Sequence, residues 1–335
     1  MSKTADSSAT GNYRVNHLAR GRTLRGLGLA TCLALLLGLP LLVNEYQQFV
    51  VNTMVIYALI AVGFNVVLGY LGQLAFANAA FFGVGAYATG LTMVHLALPL
   101  PLALLAAGAA GTVAGIAVAL PALRVQGHYL AIFTLAFGEL MRWVYVHADA
   151  VTFGPSGFNV PRPAALGLLG SPERGKYYLF LAVAIIAIGA TVRLLRSRFG
   201  RAFVAVRNNE RAAASLGVSV ARAKIIAFGW SGFLVGVAGG LYALLNGRVT
   251  PDSFGLAQLL LNFAIVMIGG LGSVLGSILG AILLTGAPEL LRNFAGIEEI
   301  VFSLLLIGVL FFMPKGIGGL IAARIPALRE PLHRE

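Results

Sequence analysis

Charged residues are scarce in this 335-residue chain, at 11% of the sequence. A soluble globular domain carries about 25% charged residues, so this chain could not cover a water-exposed surface with polar groups. Apolar side chains make up 59% of the chain, in continuous runs that lack the alternation of membrane β-barrel strands. The composition therefore excludes a water-soluble protein and predicts an all-α, polytopic membrane helical bundle.

Cysteine and acidic residues are also few. The single cysteine, Cys32, excludes a disulfide scaffold and a thiolate metal site.

The formal net charge of +12 is typical of a membrane protein whose basic loops stay in the cytoplasm, so we do not expect nucleic acid to be a partner. The chain has no G-x-x-x-x-G-K-[ST] phosphate cradle. We therefore predict no ATPase site in this chain, and no catalytic, cofactor-binding or metal-binding residue.

Ten apolar runs are candidates for membrane-spanning helices, which need about 20 residues each. The runs are Leu27–Val43, Val50–Gly69, Leu74–Val94, Leu98–Leu120, Leu130–Val146, Tyr177–Leu195, Ala223–Leu245, Leu256–Leu271, Val274–Ala287 and Ile300–Met313. The ninth is short for a crossing, and a tilted or re-entrant helix is the alternative. About ten transmembrane helices are therefore predicted.

The distribution of basic residues predicts the orientation. With a cytoplasmic N-terminus and ten crossings, 18 of the 24 Lys and Arg residues fall on inside segments and five on outside loops. Both termini are then cytoplasmic. We predict a basic tail over 1–26, a transmembrane domain over 27–313 and a second tail over 314–335. Within the domain, 147–176 is an external loop and 196–222 a cytoplasmic one.

The cytoplasmic loop has the sequence of two short helices. Asn208 or Asn209 can cap the second helix, Glu210 suits its positive N-terminal end, and Gly217 supplies a left-handed stop. Its middle, Ala212–Ala214, presents little bulk, so its backbone can lie close to a groove of another protein. This pattern indicates a docking helix.

Arginines surround that helix. Arg201, Arg207 and Arg211 could contact carboxylates of a docked partner. The alternative is a positively charged loop that orients the chain and contacts the headgroups of the lipid bilayer.

Polar residues inside predicted spans are candidates for a translocation pathway or gate. Glu139 and Arg142 are spaced i, i+3 on one helical face, which favours a structural or gating ion pair over a proton relay. Asn65, Gln73, Asn78 and Asn262 could hydrogen-bond a solute in transit. Such amides also join helices, and that alternative stays open.

Two glycine-containing segments interrupt apolar runs in a similar way. They are Gly69-Tyr70-Leu71-Gly72-Gln73 and Gly269-Gly270-Leu271-Gly272-Ser273. Corresponding interruptions occur in the two halves of many transporters.

From about Val50 to Leu320 the chain resembles one family, the LivM-type membrane permeases of branched-chain amino acid ABC importers. The resemblance rests on seven elements in the same order: Gly69-Tyr70-Leu71-Gly72-Gln73-Leu74 through Ala79-Ala80-Phe81-Phe82-Gly83-Val84-Gly85-Ala86-Tyr87; Tyr129-Leu130-Ala131 with Thr134-Leu135-Ala136-Phe137-Gly138-Glu139; Phe199-Gly200-Arg201-Ala202; Asn209-Glu210-Arg211-Ala212-Ala213 ending at Leu216-Gly217; Ser253-Phe254; Gly269-Gly270-Leu271-Gly272-Ser273; and Pro314-Lys315-Gly316.

The resemblance implies that the segment from Glu210 to Gly217 couples the permease to an ABC ATPase. It assigns this coupling to Arg201, Glu210, Arg211, Ala212, Ala213, Leu216 and Gly217. It further implies a complex in the bacterial cytoplasmic (inner) membrane, with a sister permease, two ATPase subunits that bind the ATP, and a soluble external binding protein. The solute would be a branched-chain or related hydrophobic amino acid.

Two departures from the family pattern leave the solute open. Ala75, Phe76, Ala77 and Asn78 stand where the family usually has Ser, Leu, Gly and then His or Gln, and Phe153 stands where a glycine is typical. Related permeases serve urea, short amides or aromatic acids. An ion-coupled secondary carrier is the alternative from another class, and the scarcity of acidic residues within the spans counts against it.

Overall fold

The computed structural model describes residues 37–40, 43–125, 127–161, 163, 172–291 and 316–319. The predicted span Ile300–Met313 lies outside the described residues, and Leu27–Val43 falls on them only at 37–40 and 43. The chain divides into two compact units, Met1–Gln48 and Phe49–Glu335. In the first, Gln48 Nε2 donates to the carbonyl oxygens of Pro40 and Val43 at 2.8 and 3.2 Å.

The described part of the chain is almost entirely helical, as predicted. The helices are α1 (Glu45–Asn65), which continues as a π-helix (Val66–Tyr70), α2 (Asn78–His95), α3 (Leu100–Ala122), α4 (His128–His147), α5 (Asp149–Thr152), α6 (Pro172–Arg196), α7 (Arg198–Asn208), α8 (Glu210–Ser215), α9 (Val220–Asn246), α10 (Leu256–Gly269) and α11 (Val274–Leu291). Short 3-10 turns cover Gly154–Ser156 and Pro251–Phe254, and β1 (Phe158–Asn159) pairs with β2 (Arg248–Val249).

The eight predicted runs from Val50–Gly69 to Val274–Ala287 each coincide with one long helix. Six stretches of the described chain are long and apolar enough to cross a membrane: α1 with its π-helix, α3, α4, α6, α9, and Pro251–Gly269, which contains α10. The 18-residue α2 is not among them, because its glycine and polar residues lower its hydropathy. Most of its residues are nevertheless buried in the bundle. A polytopic helical bundle is confirmed, and the total of ten crossings stays a prediction.

Helices α2, α3 and α9 form the closely packed centre of the bundle. A Cβ atom on Gly85 of α2 would lie 2.0 Å from the carbonyl oxygen of Gly236 on α9. A Cβ on Gly111 of α3 would lie 2.1 Å from the carbonyl oxygen of Gly232, also on α9. The three backbones therefore approach as closely as they do because glycine stands at the crossing points.

Helix α4 lies at the periphery of the described bundle. Of its 20 residues, only Leu130, Thr134 and Tyr145 are buried. Its exposed side chains include Tyr129 at 77% and Ile132 at 65% exposure. In a membrane, such an apolar surface is covered by lipid or by another subunit.

The predicted external and cytoplasmic loops lie at opposite ends of α9. This helix has 27 residues, so it is about 40 Å long at 1.5 Å per residue. The β1–β2 pair, in which Phe158 is the partner of Val249, follows its C-terminus, and α8 precedes its N-terminus. The assignment of the α8 end to the cytoplasm stays a prediction from the charge distribution.

Candidate functional site

The segment Arg198–Gly217 forms the predicted pair of short helices, α7 and α8. Ser197 begins α7, and its side-chain oxygen accepts a hydrogen bond from the amide of Phe199 at 3.1 Å. Asn209, rather than Asn208, caps α8, because its Oδ1 atom accepts from the amide of Ala212 at 3.0 Å. Short polar side chains at these positions satisfy amide groups that have no partner within the helix.

The C-terminal end of α8 is closed by Gly217, which has a φ of +81°. The amide of Gly217 donates to the carbonyl of Ala214, and that of Val218 donates to the carbonyl of Ala213, both at 3.0 Å. This is the paired hydrogen bonding of a Schellman motif, which needs a residue with positive φ. The predicted left-handed stop is confirmed.

One side of α8 is open. Ala213 is its buried residue, while Arg211, Ala212 and Ala214 are exposed. Leu216 directly after the helix is 83% exposed. We call Arg211, Ala212, Ala214 and Leu216 the outward face. Arg201 on α7 is also exposed, and no acidic side chain of the described chain is within ion-pair distance of it.

The other side of α8 is bonded to the bundle through Glu210. Its Oε1 atom accepts from Gln73 Nε2 at 2.8 Å and pairs with Lys224 Nζ at 2.9 Å. The Lys224 side chain is 1% exposed and also donates to the carbonyl of Ala122 at 3.1 Å. Gln73, predicted for the pathway, thus meets Glu210, predicted for coupling. Lys224 was missed in the sequence analysis, and the only signal was a lysine at the start of an apolar run.

Arg207 provides a second connection between this segment and the bundle. Its Nη1 atom donates to the carbonyl of Gly69 in the π-helix. A Cβ on Gly72 would lie 2.5 Å from Arg207 Cγ, and Gly72 has a φ of +73°. Beside this contact is a groove of about 690 Å³, lined by Leu71, Gly72, Gln73, Gly127, Val206, Arg207, Asn208, Asn209, Glu210, Arg211, Ala214 and Val220.

Asn65 joins the end of α1 to the second glycine-containing segment and to α11. Its Nδ2 atom lies within hydrogen-bond distance of the carbonyls of Gly270 and Ser273, at 3.2 and 3.0 Å, and of Ser277 Oγ at 2.6 Å. Its Oδ1 atom accepts from the amide of Gly272 at 2.9 Å. The side chain is buried and fully used by these contacts. This geometry favours the helix-joining interpretation of Asn65.

Replacing Asn65 with Leu is expected to lower the free energy of unfolding by about 2–4 kcal/mol, because buried polar atoms of Gly272 and Ser277 lose a partner. Thermal unfolding of the purified chain in detergent would measure this. The matched control is Asn246→Leu, since the exposed Asn246 makes one bond within its own helix; its effect should stay within about 0.5 kcal/mol. Equal stability of the two variants would contradict the assignment.

Asn78 ends a buried chain of hydrogen bonds. Its Oδ1 accepts from Asn262 Nδ2 at 2.8 Å, Asn262 Oδ1 accepts from Gln258 Nε2 at 2.8 Å, and Gln258 Oε1 accepts from the hydroxyl of Tyr57 at 3.1 Å. This series of hydrogen bonds connects α1, α10 and α2. Asn78 Nδ2 is buried and has no hydrogen-bond partner in the described structure. Unlike Asn65, Asn78 therefore keeps a donor for a further contact.

The predicted ion pair on α4 is present. Arg142 Nη1 lies 3.7 Å from Glu139 Oε2, and Arg142 Nη2 lies 3.5 Å from Asp252 Oδ1. The side chains of Arg142 and Glu139 are 42% and 50% exposed. Asp252 was missed in the sequence analysis, because it belongs to a loop 110 residues further along the chain. A gating role for the pair stays a prediction.

Phe153 has a left-handed backbone conformation, which is the conformation that glycine adopts most easily. Its φ is 62°, in the left-handed region. Its ring stacks on His95, with centroids 5.8 Å apart. The departure noted in the sequence thus places a bulky residue where glycine would be unstrained.

The family described as branched-chain amino acid transport system / permease component matches residues 46–314. The high-affinity branched-chain amino acid transport system permease protein LivM of Escherichia coli is 33% identical over 315 residues, which cover 87% of this chain and 74% of that protein. BraD of Pseudomonas aeruginosa, a permease protein of the same kind of system, is 28% identical over 300 residues, covering 83% and 97%.

A third relative transports another solute. The autoinducer 2 import system permease protein LsrC of Klebsiella pneumoniae is 36% identical over 141 residues, 39% of this chain and 40% of that protein. No solved structure is significantly similar to the chain. The family match covers well over half of the sequence, and a membrane permease component agrees with the helical bundle. The chain belongs to the family of branched-chain amino acid transport system permease components.

Proposed function

We propose that this chain is a translocation subunit of an ATP-driven importer for branched-chain or related hydrophobic amino acids in the bacterial inner membrane. The observation that carries the proposal is α8, which is closed at both ends, bonded to the bundle on one side and open on the other. Similarity to LivM and BraD supports the solute class. A neutral zwitterion suits a pathway with few fixed charges.

The energy would come from two separate ABC ATPase subunits that bind and hydrolyse ATP. The sequence has no phosphate cradle of its own, and we assign it no cofactor. The outward face, with Arg201 nearby, would dock on an ATPase subunit: its alanines admit close backbone approach, Leu216 offers an apolar anchor, and the arginines suit carboxylates.

A sister permease would cover the exposed side of α4. Charged side chains within a membrane span face protein or water rather than lipid. Glu139 and Arg142 lie within this span and are about half exposed in the single chain, so a second permease beside α4 would shield them. The solute pathway would then run between the two permeases, and a soluble binding protein would deliver the amino acid at the opposite end from α8.

Reconstitution in lipid vesicles tests this proposal. We expect uptake of leucine, isoleucine or valine only when the chain is combined with a sister permease, two ATPase subunits, ATP and an amino acid binding protein. The chain alone should give no uptake, with or without an ion gradient. Uptake by the chain alone, driven by an ion gradient, would refute the proposal. Stimulation of ATP hydrolysis by urea or a short amide, but not by leucine, would change the solute class.

A further inference from the structure

Glu210 differs from the outward face because its carboxylate contacts the bundle. Both bonds of its Oε1 atom, to Gln73 Nε2 and Lys224 Nζ, lie within the chain. Its side chain is 22% exposed, whereas Leu216 a turn and a half away is 83% exposed. The carboxylate is therefore directed toward the bundle, whereas the Leu216 side chain is open to solvent.

Lys224 explains why an acid is needed at this place. Its ammonium group is almost completely removed from water, which is unfavourable unless an opposite charge and hydrogen-bond acceptors surround it. Glu210 supplies the charge at 2.9 Å, and the carbonyl of Ala122 supplies an acceptor at 3.1 Å. Three helices and one loop meet here: Glu210 begins α8, Ala122 ends α3, Lys224 lies near the start of α9, and Gln73 belongs to the segment before α2.

Two of these elements, α3 and α9, pack closely against each other. The helices α3 and α9 cross at Gly111 and Gly232, where added Cβ atoms would meet backbone. A displacement of α8 that is carried by Glu210 therefore reaches α3 and α9 together. Arg207 carries the same displacement to Gly69, in the π-helix at the end of α1. Single-turn π-helices are often found at functional sites.

We propose that Glu210, Lys224 and Gln73 transmit the movement of α8 to the bundle, and that Glu210 is an internal anchor rather than a contact with the ATPase. The inference rests on the proposed function and deepens it. It divides the coupling segment into two parts: the outward face binds the ATPase subunit, and the Glu210 side conveys its closure to α2, α3 and α9. These three residues are positioning residues, since none is required to touch ATP or solute.

The test compares Glu210→Gln with Leu216→Asp in the full complex reconstituted with binding protein and leucine. For Glu210→Gln we expect the ATPase subunits to remain bound and ATP hydrolysis to stay within about 2-fold of the parent, while leucine transported per ATP falls at least 10-fold. For Leu216→Asp we expect the ATPase subunits to be lost. If Glu210→Gln loses them as well, the anchor assignment is overturned while the proposed function stands. If Leu216→Asp retains both them and uptake, the outward face is not the docking surface. If the parent complex itself takes up no leucine with ATP, the proposed function fails instead.

A second variant separates transmission from stability. Glu210→Gln alone leaves the buried Lys224 ammonium without a counter-charge, so the double variant Glu210→Gln/Lys224→Met should regain the thermal stability of the parent. Its transport per ATP should remain at least 10-fold low. Recovery of coupled transport in the double variant would show that the pair is only structural and would overturn the proposal.

The matched control is Glu173→Gln. Glu173 pairs at 2.7 Å with Lys176, whose side chain is 5% exposed, so the same substitution removes the acid from an equally buried lysine. Lys176 also approaches the carbonyl of Leu245, near the end of α9 remote from α8. We expect transport per ATP to be unchanged in this control. An equal loss there would mean that any buried lysine without its acid uncouples the complex, and would overturn the specific role of Glu210.

Discussion

Replacing Leu216 with Asp is expected to separate the chain from its ATPase subunits and to abolish ATP-dependent uptake. The side chain is 83% exposed, so the substitution removes little packing from the permease itself. In a docked complex the same position would be desolvated, and an unpaired carboxylate there is strongly unfavourable. A loss of about 2 kcal/mol or more is typical of an interface anchor and corresponds to about 30-fold weaker association. Co-purification through a tag on this chain, with uptake in parallel, measures both effects.

The control for this substitution is Leu96→Asp. Leu96 is 64% exposed and follows α2 at the opposite end of the bundle from α8. The same new charge should there leave the ATPase subunits bound. If the Leu216 variant retained them as fully as the Leu96 variant, the outward face would not be the docking surface.

Replacing Gly85 with Ala is expected to destabilise the bundle severely. The added methyl group would lie 2.0 Å from the carbonyl oxygen and 2.5 Å from the Cα of Gly236. Both atoms are backbone, so no side-chain rotation relieves the overlap, and α2 must move away from α9. Overpacking of this kind costs about 3 kcal/mol or more. A lower yield of folded protein and a lower melting temperature in detergent would report it.

Gly189→Ala is the matched control on α6. A Cβ at Gly189 meets nothing within 4 Å, and alanine is about 1 kcal/mol more favourable than glycine inside a helix. This variant should melt at the same temperature as the parent or above it. Equal melting temperatures for the Gly85 and Gly189 variants would show that α2 and α9 do not pack through Gly85.

The long helices could be predicted because each one coincides with a continuous run of apolar residues in the sequence. The run Leu98–Leu120 differs from α3 by two residues at either end. The start of α2 was placed four residues too early, at Leu74 instead of Asn78. Gly72 has a positive φ, and Gln73 bonds to Glu210, 137 residues away. Hydropathy along the chain carries no information about such a contact.

The same distinction applies to the candidate site. The cap at Asn209 and the stop at Gly217 could be predicted because both form hydrogen bonds with neighbours in sequence. The partners of Glu210 could not, because Gln73 comes from the segment before α2 and Lys224 from α9. Leu216 gave no local sign that it would be exposed, since a leucine beside alanines is usually buried. Its exposure follows from the orientation of α8, which is fixed by the distant contacts of Glu210.

The closed ends of α8 have a consequence for the kinetics of assembly. With Asn209 capping one end and Gly217 the other, the segment already holds its shape before any partner arrives. Binding of an ATPase subunit then requires only that its surface and α8 meet in the correct orientation. Little conformational entropy of α8 is lost when they bind. The helix α8 has only six residues, which is far too short to fold on its own in water. Because the permease holds it in shape, it can still bind as a preformed element.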